Sequence, residues 1–101
     1  MKPTRIRSKK LLDGAKGENC TMNVAGVCNY NPETVVAMHI NVEGGKMGGK
    51  TDDTSTVYGC SSCHAWLDQS KGSELDQLFY TRRALVRTLN RRIEQELISH
   101  G

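Results

Sequence analysis

The 101-residue sequence predicts a single α+β domain. Three observations predict it. "TVVAMHI" (34–40) is rich in β-branched residues, and "STVYG" (55–59) follows across a glycine-rich loop, so the two read as a strand pair. Cys20 and Cys28 stand before that pair, and Cys60 and Cys63 stand at its end. From Ser73 onward, Leu75, Leu78, Phe79, Leu85, Val86, Leu89, Ile93 and Leu97 recur at helical spacing, which predicts a long helix over 73–99.

Residues 1–7 read as a basic arm with Lys2, Arg5 and Arg7. Ser8 is placed to cap a short helix that runs to about Lys16, with Gly17 as its stop. "CTMNVAGVC" (20–28) is a loop closed by two thiols, and "NYNPE" (29–33) has turn chemistry. After the first strand, "NVEGGKMGGK" (41–50) is a basic loop carrying Lys46 and Lys50. "GGKMGGKT" (44–51) matches the spacing of a phosphate-binding loop. That motif needs a helix directly after it and a sheet large enough to hold a nucleotide; here Asp52, Asp53, Ser55 and another strand follow. A third helix is expected from Ser61 or Ser62 to about Gln69, and "QSKGS" (69–73) breaks it. Ser73 caps the long helix, with Asp76 near its positive end. Its apolar stripe is expected to pack inward, with the arginines mostly off that stripe.

Leu, Ile, Val and Phe together make up only about a fifth of the chain, too little for a large core. Such a chain needs a staple. No secretory or membrane-spanning run is present in the sequence, so cytoplasmic placement, with no membrane partner, is the expectation. Thiols stay reduced there, which favours metal ligation over disulfides. Net charge is +3. The basic residues cluster at the N-terminus and again at Arg82, Arg83, Arg87, Arg91 and Arg92, a distribution suited to phosphate contact.

Cys60-x2-Cys63 is a metal knuckle, and Cys20-x7-Cys28 supplies two more thiols; together they fit a structural Zn2+. The Cys-x-x-Cys-His string also has the form of a haem attachment site, but nothing else in the sequence supports export or haem ligation. With four thiols on zinc, His64 is left over. His64 and Asp68 are one helical turn apart and pair nitrogen with oxygen. A surface hydrogen bond explains that spacing; so does a shared Mg2+ or Mn2+. His39, near the end of the first strand, is a structural histidine or a general base.

The run from Cys28 to Asp68, "VCNYNPETVVAMHIN…GGKMGGKTDD…CSSCHAWLD", resembles the ββα-metal (HNH, His-Me finger) nucleases. In more detail it is similar to the small phage- and prophage-encoded nucleases of the YbcO type, relatives of the RecA-dependent Ref nuclease. The resemblance implies a ββα-metal finger braced by a four-cysteine zinc site, flanked by a short N-terminal and a long C-terminal helix. It implies His39 as general base, His64 as metal ligand and Asp68 as second helix ligand. Asp53 takes the middle position, orienting the base or helping to hold the metal, with Asp52 or Ser55 as substitutes. Met38 stands where many members carry Asp or His. The implied function is metal-dependent DNA endonuclease activity in phage or prophage recombination, inside the bacterial host, with DNA and a recombinase as the implied partners. Lys46, Lys50, Arg87, Arg91 and Arg92 would then hold phosphates. The alternative is a non-catalytic zinc module that binds nucleic acid or a phage recombination protein.

Overall fold

The computed structural model describes residues 7–40 and 53–98. Helix α1 spans Lys9–Asp13, strand β1 Val36–His39, strand β2 Thr56–Gly59, helix α2 Ser61–Asp68 and helix α3 Glu74–Glu94. The α+β class therefore holds. Ser8 and Ser73 cap α1 and α3 as the sequence implies, each accepting a backbone N–H three residues on. The long helix stops at Glu94, short of the expected 73–99; Gln95 caps it and Glu96 adopts a positive φ of 60°.

The two strands are antiparallel, with Val36 opposite Gly59 and His39 opposite Thr56. Alternation along β1 sends Met38 into the core and leaves His39 facing out. Position 38 is thus a packing position. A Cβ on Gly59 would run into the Met38 sulfur, so glycine there lets the methionine pack across the strand pair. Every residue of β2 is buried.

A two-stranded sheet leaves β2 with an unpaired outer edge, and side chains satisfy it. Thr21 donates both its N–H (2.7 Å) and its hydroxyl (2.8 Å) to the Tyr58 carbonyl. The Tyr58 N–H donates to the Thr88 hydroxyl at 3.2 Å. Because Thr21 already donates to Tyr58, the 3.0 Å Thr21–Thr88 contact has Thr88 as donor.

This edge corrects the expectation for α3. Its buried residues are Ala84, Thr88 and Arg92, at i, i+4 and i+8. Leu75 is 75% exposed, and Leu78, Phe79, Val86 and Leu89 are exposed with it. The inward face meets a strand edge that needs hydrogen bonds, so small and polar residues sit there. Tyr80 packs edge-to-face on Trp66 (centroids 5.7 Å apart), joining α3 to α2. At the other end Gln95 donates to the Gly14 carbonyl (2.9 Å) and accepts from the Tyr58 hydroxyl (2.7 Å), tying α3 to the end of α1.

Candidate metal centre and histidine pairs

Cys20, Cys28, Cys60 and Cys63 bring their sulfurs within 4.8 Å of one another, and all four are free thiols. The C-x7-C loop returns on itself through a turn at Val24–Cys28. The N–H groups of Val27 and Cys28 both donate to the Val24 carbonyl, and Gly26 takes the left-handed conformation with φ 74°. Cys60 is the N-cap of α2, its sulfur accepting the Cys63 N–H. The helix start therefore points its backbone donors at the thiols.

The donor set fits zinc. Four thiolates about 2.3 Å from a tetrahedral ion stand about 3.8 Å apart. The Cys60 and Cys28 sulfurs are 3.8 Å apart. Asn23 supports the cluster from outside, its backbone N–H reaching the Cys20 sulfur and its side-chain amide the Cys28 sulfur, each at 3.5 Å. Burial pushes the Cys20 and Cys63 thiols up, and thiol neighbours add to it. Burial also pushes Cys60 up, but the N–H groups of Asn29 and Cys63, with hydrogen bonds from the Cys63 and Cys28 thiols, outweigh it and bring that thiol down to about 7. Crowded thiols cannot all ionise unaided; a dication removes that conflict. The four cysteines thus form a site able to hold a metal such as zinc.

Among the described residues, His39 and His64 form two separate pairs. His39 Nε2 lies 2.9 Å from Asp53 Oδ1, with side-chain exposures of 43% and 8%. Asp53 Oδ2 accepts the Ser8 N–H at 2.6 Å. Among the described candidates for the middle position, Asp53 meets His39. Ser55 instead uses its backbone carbonyl, which accepts the Ile40 N–H at 2.9 Å, and Asp52 lies outside the described residues. A carboxylate on Nε2 fixes the Nε2–H tautomer and leaves Nδ1 with the lone pair. The second pair is His64 Nε2 and Asp68 Oδ2, 3.2 Å apart and solvent-facing.

The arginines are placed differently from the sequence expectation. Arg92 is 1% exposed, its guanidinium over the Tyr58 ring and bonded to Thr56. Its assignment to phosphate contact is corrected on that ground. Arg83, Arg87 and Arg91 form a ladder on α3 that clamps the Cys20 loop. Arg83 donates to the Met22 carbonyl (2.9 Å) and Arg87 to the Asn23 side-chain oxygen (3.0 Å). Arg91 grips Glu18 with two bonds, at 2.6 and 3.1 Å. Arg87 and Arg91 remain exposed beside a cleft of about 670 Å³ that Asn19 and Tyr58 also line. Lys46 and Lys50 lie outside the described residues. Sequence reasoning missed Thr21, Thr56 and Thr88 as supports, because an isolated Thr carries no spacing signal; it placed Ser8 as a cap but not its N–H on Asp53.

The family profile described as "Putative nuclease YbcO" matches residues 9–97. The chain belongs to the YbcO family. Over 60 residues it is 40% identical to the YbcO nucleases so described from Escherichia coli K12 and from Enterobacteria phage 82. That match covers 58% of this chain and 62% of each relative's length. A solved structure of a bacteriophage protein from E. coli K-12 aligns with 84% of this chain and 98% of its own, at 28% identity and a TM-score of 0.65. Among the described residues of this YbcO-family chain, no helix is long and apolar enough to cross a membrane.

Proposed function

We propose that this YbcO-family chain is a metal-dependent DNA endonuclease of the ββα-metal kind. The observation that carries the reading is the His39–Asp53 pair: a half-exposed imidazole held by a buried carboxylate at the end of a strand. The nuclease description of the family and of its two similar relatives supports it.

Asp53 holds the ring so that Nδ1 accepts a proton from water. The resulting hydroxide attacks phosphorus, the P–O bond to the sugar breaks, and the leaving oxygen takes up a proton from solvent. His64 and Asp68, one helical turn apart with a nitrogen and a carboxylate oxygen 3.2 Å from each other, would hold Mg2+ or Mn2+. Bound there, such a cation supplies positive charge against the charge that builds on the phosphate and the leaving oxygen. The four-cysteine site binds structural zinc and takes no part in the chemistry. Lys46, Lys50, Arg87 and Arg91 hold the backbone without reading sequence. DNA processing beside a recombinase in the host cytoplasm belongs to the same reading.

A non-catalytic zinc module is the second reading. Met38 favours it, because a core-facing methionine leaves His64 and Asp68 with no third protein ligand from that position.

Plasmid nicking across a Mg2+ and Mn2+ titration separates the two. His39→Ala should keep its zinc and its fold and lose cleavage by about a hundredfold or more. His64→Ala should lose cleavage at low metal and regain part of it at high Mn2+. Full cleavage by His39→Ala sinks the proposed mechanism.

A further inference from the structure

Arg92 is a cation enclosed in the core of a small domain, and the mechanism above leaves it unused. Its Nη atoms donate to the Thr56 carbonyl (3.4 Å) and to the Thr56 hydroxyl. Its Nε has no hydrogen-bond partner among the described residues. Burying a guanidinium is costly, and an apolar side chain of similar length would fill the same space at lower cost. Its retention therefore points to what it holds.

The bond directions are settled by chemistry. Arginine only donates, so the Thr56 hydroxyl accepts from Arg92 and turns its single hydrogen elsewhere. That hydrogen goes to the Asp53 carbonyl, 2.7 Å away. Thr56 is fully buried and stands opposite His39 in the strand register. The chain of contacts thus runs from the last turns of α3 through Thr56 to the backbone of Asp53, whose carboxylate holds His39. A hydroxyl that accepts from a cation is a stronger donor on its other side. The turn before β2 is clamped by that bond.

We propose that Arg92 is a positioning residue for the His39–Asp53 pair, acting through the Thr56 hydroxyl. The role rests on the nuclease reading for its effect on catalysis, and on geometry alone for its effect on the histidine. Arg92 touches neither the imidazole nor any reacting atom. It sets where the Asp53 carboxylate stands, and hence which nitrogen of His39 keeps its hydrogen.

The test is Thr56→Val, Thr56→Ser and Arg92→Met in the full chain with zinc bound. Zinc content and melting temperature are checked first. Ring 15N shifts of His39 are then read at about pH 8, where an ordinary imidazole is neutral. The wild type should show the Nε2–H tautomer; Thr56→Val and Arg92→Met should show a mixture, and Thr56→Ser should restore the wild-type spectrum. In nicking assays kcat should fall about tenfold or more for Thr56→Val with KM little changed, the mark of a lost alignment. Should Arg92→Met fail to fold, Thr56→Val against Thr56→Ser still decides. Wild-type His39 shifts in folded Thr56→Val overturn the proposal, because a merely structural Thr56 would lower the melting temperature and leave the ring unchanged. If the wild type nicks no DNA in any metal, the nuclease reading falls, and the 15N comparison alone decides the positioning role.

Discussion

Cys60→Ser isolates the contribution of the metal centre. Cys60 has two duties: it is one of four sulfurs in the cluster, and it caps α2 by accepting the Cys63 N–H at 3.4 Å. Serine is itself a preferred N-cap, so the substitution keeps the cap and removes only a thiolate. A structural zinc site contributes about 10–16 kcal/mol to a small fold, so one ligand of four represents about 3–4 kcal/mol as an equal share. A domain of this size is stable by about 5–15 kcal/mol in all. At about 4–8 °C per kcal/mol, the expected fall in melting temperature is about 12–30 °C. Elemental analysis should give one zinc per wild-type chain and less for the variant. Scanning calorimetry measures the melting shift, and a chelator should bring the wild type down toward the variant. A zinc-free wild type, or a variant melting within about 2 °C of it, refutes the brace, since no other term in the comparison changes by more than a cap's worth.

Arg87→Ala and Arg91→Ala should each reduce the salt dependence of DNA binding by about one phosphate contact, read from affinity against salt concentration. Arg92→Ala, by contrast, should lower the melting temperature, because it empties a buried site between Tyr58 and Thr56; a reduced salt slope with unchanged melting would return Arg92 to the phosphate surface. Gly59→Ala should destabilise the domain by about 1–3 kcal/mol in denaturant titration, because its new methyl would meet the Met38 sulfur, and the same substitution made in a Met38→Ala background should cost less.

What the sequence made legible follows from which signals are local. Caps are local: Ser8 and Ser73 were readable because an N-cap declares itself within three residues. The thiols were readable because a C-x2-C knuckle with a second cysteine pair matches a four-thiol metal site, although the 20–28 loop needed a positive φ at Gly26 to close. The family resemblance offered Asp53, Asp52 and Ser55 as partners for His39, and no spacing chose among them; the 2.9 Å contact to Asp53 is visible only in three dimensions. The inward face of α3 was readable only in part: Leu85 of the apolar stripe does pack against the core. Periodicity reports where apolar residues recur, and Leu75, Leu78, Phe79, Val86 and Leu89 recur on a face that the strands never meet. The face that does meet them carries Thr88 and Arg92, because the open edge of β2 demands donors and acceptors. The same rule misread Arg92 itself: composition counts a charge wherever it falls, and only packing separates a core cation from a surface one.

A hairpin of four-residue strands is too short to hold its own register. The four-cysteine site stands at one end, where Cys60 follows Gly59 directly. The His39–Asp53 pair sits at the other, where His39 faces Thr56. Only the length of β2 separates brace from site, and Tyr58, pinned by Thr21 and Thr88, lies between them. Releasing the metal should therefore loosen the turn that positions Asp53 even though no thiol touches it. Loss of cleavage on zinc removal is what a brace predicts, and it is no evidence that zinc performs chemistry. His39→Ala and His64→Ala leave the four sulfurs in place, so cleavage by those variants, measured at constant zinc content, is what separates holding the strand pair from cutting the substrate.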